Sequence, residues 1–279
     1  MKAFIILLFL INITACTEPD NNTTTNSFDT ETSTIDTTDN EANTTVADTS
    51  NSENNKTTET DNTNTIDNNS SAFCNNDTHL GEGTYYGGIA GTSGGHCSLP
   101  VAADNMMHVA MNAADYNGSS SCGACVEITG PNGTITATVV DECPECAKGD
   151  IDMTEEAFSM VADVIDGRVD ISWEYVACDL AKNISINFKE GSSVYWTAVQ
   201  FRDIEHAVNK VEYQLNNGEW KEIERKDYNY FVNAEGITSP MYLRATSVLG
   251  EELVFEAITL DTSKNYESAL QFTTPKECL

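Results

Sequence analysis

Basic residues are scarce in this chain of 279 residues, which has 14 Lys and Arg against 44 Asp and Glu and a formal net charge of −30. Proteins that bind nucleic acids or other anionic polymers attract them with a basic surface. The charge balance therefore argues against such partners. A neutral polymer, or a salty habitat, fits this balance better.

Long apolar runs are also missing. The apolar stretch Ala3 to Ile13 is too short to span a bilayer comfortably, and no later segment is apolar enough to cross a membrane. The stretch is followed by Thr14, Ala15 and Cys16, and small residues before a cysteine are typical of bacterial lipoprotein signal peptides. We expect residues 1–16 to be such a signal peptide, ending at a lipidated Cys16. The alternative is an ordinary signal peptide with a chance cysteine.

The segment 17–73 has few apolar side chains and consists almost wholly of Thr, Asn, Asp, Ser and Glu, with twelve acids against one base. It cannot bury enough apolar surface to offset the entropy of ordering, which predicts a disordered acidic linker. A flexible chain of this length spans about 40 Å. Thr17 after the lipidated cysteine is compatible with outer-membrane sorting. We therefore expect an exported protein, held at the bacterial surface by its lipid alone or released extracellularly.

Cysteine is absent from residues 179–277, whereas seven of the eight cysteines after Cys16 lie between 74 and 178. Two Cys-x-x-Cys pairs separated by seventeen residues match the spacing of a zinc ribbon. In an exported protein, however, an even number of cysteines favours disulfides over zinc. The connectivity stays open, and the candidates are Cys74, Cys97, Cys122, Cys125, Cys143, Cys146, Cys178 and Cys278.

Common catalytic signatures are missing as well. The four histidines are scattered without metal-binding spacing, and the chain has neither a Gly-x-Ser-x-Gly nucleophile elbow nor a phosphate-binding loop. We expect no metal and no cofactor.

Short alternating strands with Gly-rich turns fill the first part of the folded region. Residues 124–129 and 134–140 flank the turn Gly130-Pro131-Asn132-Gly133 and predict a hairpin. One helix is predicted over 154–164 and another strand over 170–175. A closed β-barrel with one or two short helices suits this pattern, and we assign it to residues 74–182.

The second part, residues 183–279, reads as a β-sandwich of immunoglobulin-like size. Asn216-Asn217-Gly218 is a strong hairpin turn between two of its strands. Trp173 of the first part and Trp220 of the second are expected to be core residues. The predicted strands are 184–188, 196–202, 210–215, 220–224, 241–247 and 254–258.

Three aspartates, Asp141, Asp150 and Asp152, lie at the two ends of a Cys-Pro-x-Cys loop. Acids at both ends of a stapled loop can converge on one groove, and a carboxylic acid near a glycosidic oxygen is half of the machinery for glycoside cleavage. The alternative is structural: Asp152 would cap or orient the helix at Thr154, and Asp141 would fix the turn.

Segments in both halves resemble the expansin family, in the order in which the family has them, over about residues 81–260. The resemblance implies a six-stranded double-psi β-barrel with short helices, followed by an immunoglobulin-like carbohydrate-binding domain. The segments are Gly83-Thr84-Tyr85-Tyr86-Gly87, Cys122-Gly123-Ala124-Cys125, Val140-Asp141-x-Cys143-Pro144-x-Cys146, Asp150-Ile151-Asp152-Met153, Phe188-Lys189-Glu190-Gly191-Ser192-Ser193-x-Tyr195-Trp196 and Asp227-Tyr228-Asn229-Tyr230-Phe231.

Known expansins loosen contacts between cellulose and wall matrix without lytic activity. The resemblance therefore implies binding of cellulose, a related β-glucan or xylan-coated cellulose in plant-type walls. It makes Thr84, Asp141 and Asp152 the groove residues, with Asp152 similar to the general acid of related hydrolases. A tyrosine common in the family is replaced here by Cys143, and Tyr85 or Tyr86 is the substitute.

In the second domain the resemblance makes Tyr195, Trp196 and Tyr228 a row of cellulose-binding aromatics, with Lys189 beside them. Sugar rings stack on flat aromatic rings. Neighbouring residues on a strand face opposite sides, so Tyr195 and Trp196 can both be exposed only off the strand or on a bulge. The alternative makes Trp196 a core residue.

An inverting hydrolase needs a second carboxylate, and the stretch Gly83 to Gly88, where related hydrolases carry it, has no acid. This favours a non-lytic protein. Separately, we expect a monomer. Two alternatives stay open. One is an enzyme, either an endoglucanase or a peptidoglycan-cleaving lipoprotein with a similar barrel. The other is a carbohydrate-binding adhesin with an inert barrel.

Overall fold

A computed structural model describes residues 77–87, 95–101 and 105–274. The predictions for Cys16, for residues 17–73, and for Cys74 and Cys278 lie outside these residues. None of the helices in the described ranges is long and apolar enough to cross a membrane.

Six strands close into a barrel in the order β1-β5-β2-β4-β3-β6, which confirms the predicted all-β fold. Strand β5 pairs in parallel with β1, and β2 pairs in parallel with β4. Buried side chains from β2 to β6 fill the interior, including Val109, Ile128, Met153 and Trp173, and the partly buried Tyr85 of β1 packs against them. The strands are β1 His79–Tyr86, β2 His108–Asn112, β3 Cys125–Gly130, β4 Gly133–Cys143, β5 Ile151–Thr154 and β6 Arg168–Val176.

The predicted hairpin is strands β3 and β4, which pair from Cys125↔Thr138 to Gly130↔Gly133. Short helices accompany the barrel: α1 Ala113–Tyr116, α2 Glu155–Val161 and a 3-10 helix Val164–Asp166. The hydroxyl of Thr154 caps α2 by accepting from the N–H of Ala157. The predicted end of this helix at Val164 is wrong, because Ala162 is extended and stops the helix.

Two further sheets pack face to face, and they support the predicted sandwich. One has the order β10-β9-β13-β14 and the other β11-β12-β8-β7-β15. Their shared core includes Ile186, Phe201, Leu243 and Phe255. The strands are β7 Ser185–Phe188, β8 Thr197–Arg202, β9 Val208–Gln214, β10 Lys221–Glu222, β11 Glu224–Arg225, β12 Phe231–Asn233, β13 Met241–Ser247, β14 Glu252–Ile258 and β15 Tyr266–Glu267.

The turn predicted at Asn216 and Asn217 is present, and both residues have positive φ, 51° and 57°. The strand predicted over 220–224 is wrong as one element: β10 belongs to one sheet and β11 to the other. The chain passes between the sheets at Ile223, whose side chain is buried in the sandwich core.

The two tryptophans that were expected in the core have different environments. Trp173 is buried and donates from its indole N–H to the carbonyl of Gly149, as a core residue should. Trp220 is half-buried, with the guanidinium of Arg244 4.6 Å from its ring centroid. Leu243 and Ala245 of β13 point into the core, so the side chain of Arg244 between them points to the outer face of the four-stranded sheet. Because Trp220 contacts Arg244, it lies on that outer face as well. The core prediction is therefore wrong for Trp220.

Within the described residues, three disulfides join Cys97 to Cys122, Cys125 to Cys178, and Cys143 to Cys146. The zinc-ribbon alternative is thereby excluded, because all four cysteines of the two Cys-x-x-Cys pairs are in disulfides. Cys122 and Cys125 have different partners, which no local spacing could have indicated.

The barrel and the sandwich share hydrogen bonds and a small apolar cluster. The N–H of Cys178 in the barrel part donates to the carbonyl of Glu205 in the sandwich, and the side-chain amide of Gln200 in the sandwich donates to the carbonyl of Cys97 at 3.0 Å. Ala124 of the barrel packs with Ala207 and Val248.

Candidate functional site

A row of four residues crosses the barrel surface on adjacent strands. Strand register pairs Thr84 with Asp152, Asp152 with Ala110, and Ala110 with Asp141. The neighbours of these residues along β2 and β5, such as Met111 and Met153, are in the core, so Asp152 and Ala110 face outwards. The small side chain of Ala110 forms the floor between the two carboxylates. Of the three aspartates that were predicted to converge on a groove, Asp141 and Asp152 are thus on one row.

A β-bulge puts Asp141 on this face. The register between β2 and β4 shifts after Val109↔Val139. Val140 therefore has no partner on β2, and Asp141 pairs with Ala110. Without the extra residue, Asp141 would be opposite Met111, whose side chain points into the core. The bulge therefore reorients one acid from the inner face of the barrel to the outer face.

Asp152 is held by the hydroxyl of Thr84, which donates to its Oδ1 at 2.6 Å. Burial raises the pKa of Asp152, with a further increase from Glu145, while the Thr84 hydrogen bond and Arg168 oppose the shift. A carboxyl with a raised pKa stays protonated to a higher pH than an exposed one, and in the protonated form it can donate a hydrogen bond. Asp152 does not cap the helix, since Thr154 does.

Asp141 and Asp150 are engaged with the backbone. Oδ1 of Asp141 accepts from the N–H groups of His96, at 2.6 Å, and Glu142, at 2.9 Å. Asp150 accepts from the N–H of Glu82 at 2.8 Å and from that of Ala147 at 3.1 Å. Both aspartates therefore organise loops, as the structural alternative proposed for Asp141.

Tyr86, and not Tyr85, faces the groove. Its hydroxyl shares a hydrogen bond of 3.0 Å with Nδ1 of His108. Burial raises the pKa of Tyr86, with additional contributions from Asp141 and Asp152, so its hydroxyl stays protonated near both acids. Tyr85 packs against Phe158 of the core, with ring centroids 5.0 Å apart.

His108 is a groove neighbour that sequence reasoning missed. It is buried, and burial lowers its pKa, so the ring is neutral at pH 7. The sequence could have indicated His108 because it lies two residues before Ala110 in β2, and residues two apart on a strand are on the same face. No group of three or more His, Cys, Asp or Glu in the described ranges could hold a metal ion.

The aromatic residues of the second domain lie on and beside the five-stranded sheet. Tyr195 is 82% exposed and Trp196 is half-buried, in a turn in which Ser193 and Trp196 exchange backbone hydrogen bonds before β8 begins. Both residues are therefore off the strand, as their joint exposure requires. Trp196 and Tyr228 pack against a small cluster on the outer face, formed by Ala198, Tyr230 and Val232.

Lys189 lies over two tyrosine rings, with Nζ 5.7 Å from the centroid of Tyr228 and 4.8 Å from that of Tyr230. Tyr230 was not among the predicted site residues. Tyr230 packs against the ring of Tyr228, with their centroids 6.0 Å apart, and its hydroxyl donates to Oδ1 of Asn187 at 3.0 Å. It therefore helps to hold the aromatic face in place. The sequence could have indicated Tyr230, because it lies two residues after Tyr228.

The groove and the aromatic face meet at His96. Its Nε2 lies 3.9 Å from a carboxylate oxygen of Glu142, next to Asp141, and 3.9 Å from one of Asp227, next to Tyr228. The two groups of predicted residues thus belong to one continuous surface.

The fold and site define a two-domain β protein in which a barrel groove with a threonine-bound aspartate continues into an aromatic face on a sandwich. The chain belongs to the expansin family. It is 35% identical over 180 residues to Expansin-YoaJ of Bacillus subtilis (strain 168), covering 63% of this chain and 76% of the relative. It is 26% identical over 205 residues to Expansin-like protein 6 of Dictyostelium discoideum, covering 69% of this chain and 70% of that protein.

Solved structures agree with this assignment. The crystal structure of the apo Clavibacter michiganensis expansin matches with a TM-score of 0.66 and 29% identity, over 71% of this chain and 100% of that one. An Asp-to-Asn variant of that expansin, crystallised in complex with cellohexaose, matches with the same TM-score and 28% identity, over 71% of this chain and 100% of that one. No protein-family model matches the chain.

We expect Thr84→Val to raise the pKa of Asp152 further, because the lost hydroxyl stabilises the ionised carboxylate. The measurement is the pH titration of the Asp152 carboxyl carbon by NMR. Thr129→Val is the matched control, since Thr129 is exposed and bonds only to Thr134 on the β3–β4 hairpin among the contacts described. An unchanged or lower midpoint in Thr84→Val would contradict this account of Asp152.

Proposed function

We propose that the protein binds a chain of cellulose or a related β-glucan along the groove and the aromatic face, and loosens its contacts with neighbouring polymers without cleaving it. The observation that carries this proposal is the continuity of the two surfaces through His96. The complex of the Clavibacter expansin with cellohexaose supports a glucan as the ligand.

Stacking on the aromatic face would supply most of the binding energy. Sugar rings offer C–H faces to flat aromatic rings, and each aromatic contact contributes about 0.5–1.5 kcal/mol beyond the area that it buries. Tyr195, Trp196 and Tyr228 provide rings at the surface, and Lys189 can donate hydrogen bonds to sugar hydroxyls. A row of rings suits a linear polymer.

Among the described residues, the groove row offers a poor candidate for the base that hydrolysis requires. An inverting glycosidase places a base about 6.5–9.5 Å from the acid, with room for a water between them. Among the described residues of the groove row, Asp141 is the other carboxylate, and its Oδ1 already accepts two backbone hydrogen bonds. Asp152 would instead exchange hydrogen bonds with glucan hydroxyls and so weaken those between neighbouring chains.

Two other functions remain candidates with distinct consequences. A peptidoglycan-cleaving or endoglucanase activity would need Asp152 as an acid and would release products. An adhesin with an inert barrel would need the aromatic face alone. The groove as described does not favour an enzyme, because Oδ1 of its second acid, Asp141, already accepts two backbone hydrogen bonds. The adhesin is separated from the proposed function by the effect of changing Asp152.

We expect Trp196→Ala to weaken binding to insoluble cellulose about threefold to tenfold, since one stacking ring is removed. Trp220→Ala is the control, because Trp220 lies on the outer face of the other sheet. Binding isotherms on cellulose test this, and equal affinity of Trp196→Ala and wild type would contradict the proposed face.

We expect Asp152→Asn to bind cellulose as wild type does but to lose the ability to loosen it, measured as extension of a cellulose–matrix composite under constant load. Neither protein should release reducing sugar. Steady release by the wild type that Asp152→Asn abolishes would identify an enzyme. Equal loosening by both proteins would identify an inert barrel.

The domain limits and the cellular site are also proposals. The sequence supports a signal peptide over residues 1–16, lipidation of Cys16 and an acidic linker over 17–73. The barrel would occupy 74–182 and the sandwich 183–279, acting as a monomer. The lipid would hold the protein at the outer membrane while the linker lets the folded part reach wall polymers, although release into the medium is compatible with the same domains.

We expect wild type expressed in a bacterium with lipoprotein processing to incorporate an azide-bearing fatty acid, and Cys16→Ser to incorporate none, because the thiol is the acylation site. Thr17→Ala is the control and should remain labelled. Equal labelling of Cys16→Ser, or an unlabelled wild type, would contradict the lipid anchor.

A further inference from the structure

The loop that carries Tyr228 is held by the barrel through main-chain atoms. The hydroxyl of Tyr116 donates to the carbonyl of Asp227 at 2.6 Å, and that of Ser119 donates to the carbonyl of Lys226 at 2.8 Å. The two acceptors directly precede Tyr228 in the chain. Two side chains of the first domain therefore fix the backbone that presents an aromatic residue of the second.

Tyr116 is a rigid anchor for this purpose. It is 1% exposed and ends helix α1, with its hydroxyl 3.3 Å from Sγ of Cys122 and 3.9 Å from Sγ of Cys97. These two cysteines form a disulfide, so the ring rests on a covalent cross-link of the barrel. Burial raises its pKa, and the hydroxyl keeps the proton that it donates.

The same loop is held from its other side by Gln200. Its amide, fully buried, donates to the carbonyl of Asn229 at 3.1 Å and to that of Cys97 at 3.0 Å. Asn229 has a φ of 60° and closes the turn with a hydrogen bond from its N–H to the carbonyl of Lys226. A left-handed residue needs such support from its surroundings, although Asn tolerates the conformation better than most.

Arg225 connects this loop to the barrel as well. Its guanidinium donates to the carbonyl of Ser119 at 3.2 Å and to that of Asn209 at 3.2 Å. The ring of Phe231 lies 4.5 Å from the guanidinium carbon. The segment that precedes Tyr228 is thereby tied to the barrel loop of Tyr116 and Ser119.

We propose that Tyr116 is a positioning residue for glucan binding, which sets the place of the Tyr228 ring relative to Trp196 without touching the ligand. This inference rests on the proposed function of the aromatic face. It means that the barrel contributes to the affinity of the sandwich through its disulfide-supported hydroxyl.

The test is a double-mutant cycle on cellohexaose binding, measured by calorimetry with the full chain. Tyr116→Phe should weaken binding about threefold to tenfold, the equivalent of one lost hydrogen bond. In a Tyr228→Ala background the same change should have no further effect, because the residue that it positions is gone. A general structural defect would persist in both backgrounds.

Controls separate positioning from folding. Tyr175→Phe removes the hydroxyl of a half-buried tyrosine, whose contacts include the carbonyl of Asp115 within the barrel, and should leave affinity unchanged. Ser119→Gly removes the second donor while tolerating the φ of 75° at that position, and should weaken binding in the same Tyr228-dependent way. Thermal unfolding of each variant verifies that binding is measured on folded protein.

Three outcomes would overturn the proposal. If Tyr228→Ala lowers affinity but Tyr116→Phe and Ser119→Gly do not, the positioning role is wrong and the binding face stands. If the loss from Tyr116→Phe persists in Tyr228→Ala, the hydroxyl acts on the fold and not on this ring. If Tyr228→Ala binds as wild type does, the aromatic face itself is wrong and the positioning role falls with it.

Discussion

The parallel pairing of the four-residue strand β5 with β1 is the constraint on which the groove depends. It puts Asp152 opposite Thr84, whose hydroxyl then holds the carboxyl in a half-buried place where its pKa is raised. The antiparallel pairing of β5 with β2 adds Ala110, and a bulge in β4 adds Asp141. A one-residue slip in any of these registers would turn an acid into the core and remove the groove.

The aromatic face also depends on the barrel. Its rings lie on a sandwich that has its own core, yet the backbone beside Tyr228 accepts hydrogen bonds from the barrel. His96 adds a contact between acids of the two domains. One surface is therefore built from two domains whose packing is specified by hydrogen bonds to main-chain carbonyls. Such bonds do not depend on which side chains the sandwich loop carries, which leaves those side chains available for a ligand.

Much of the fold could be predicted from local pattern, and the site only in part. Alternation and turn residues identified β3, β4 and β13, because their period of two is directly visible. Strand β5 is too short for such a pattern, and the disulfide from Cys125 to Cys178 joins residues 53 apart, so both depend on tertiary packing. The tyrosine of the groove could not be chosen until Tyr85 was found in contact with the core. Trp220 failed as a core residue because a cation, not apolar side chains, covers its ring.

The central claim is that one glucan chain contacts both domains together, and NMR titration with cellohexaose tests it most directly. The account predicts that the indole N–H of Trp196 and the amide N–H groups of Thr84 and Asp152 shift along one binding curve with the same dissociation constant. Shifts confined to the sandwich, with the groove amides unchanged at saturation, would contradict it.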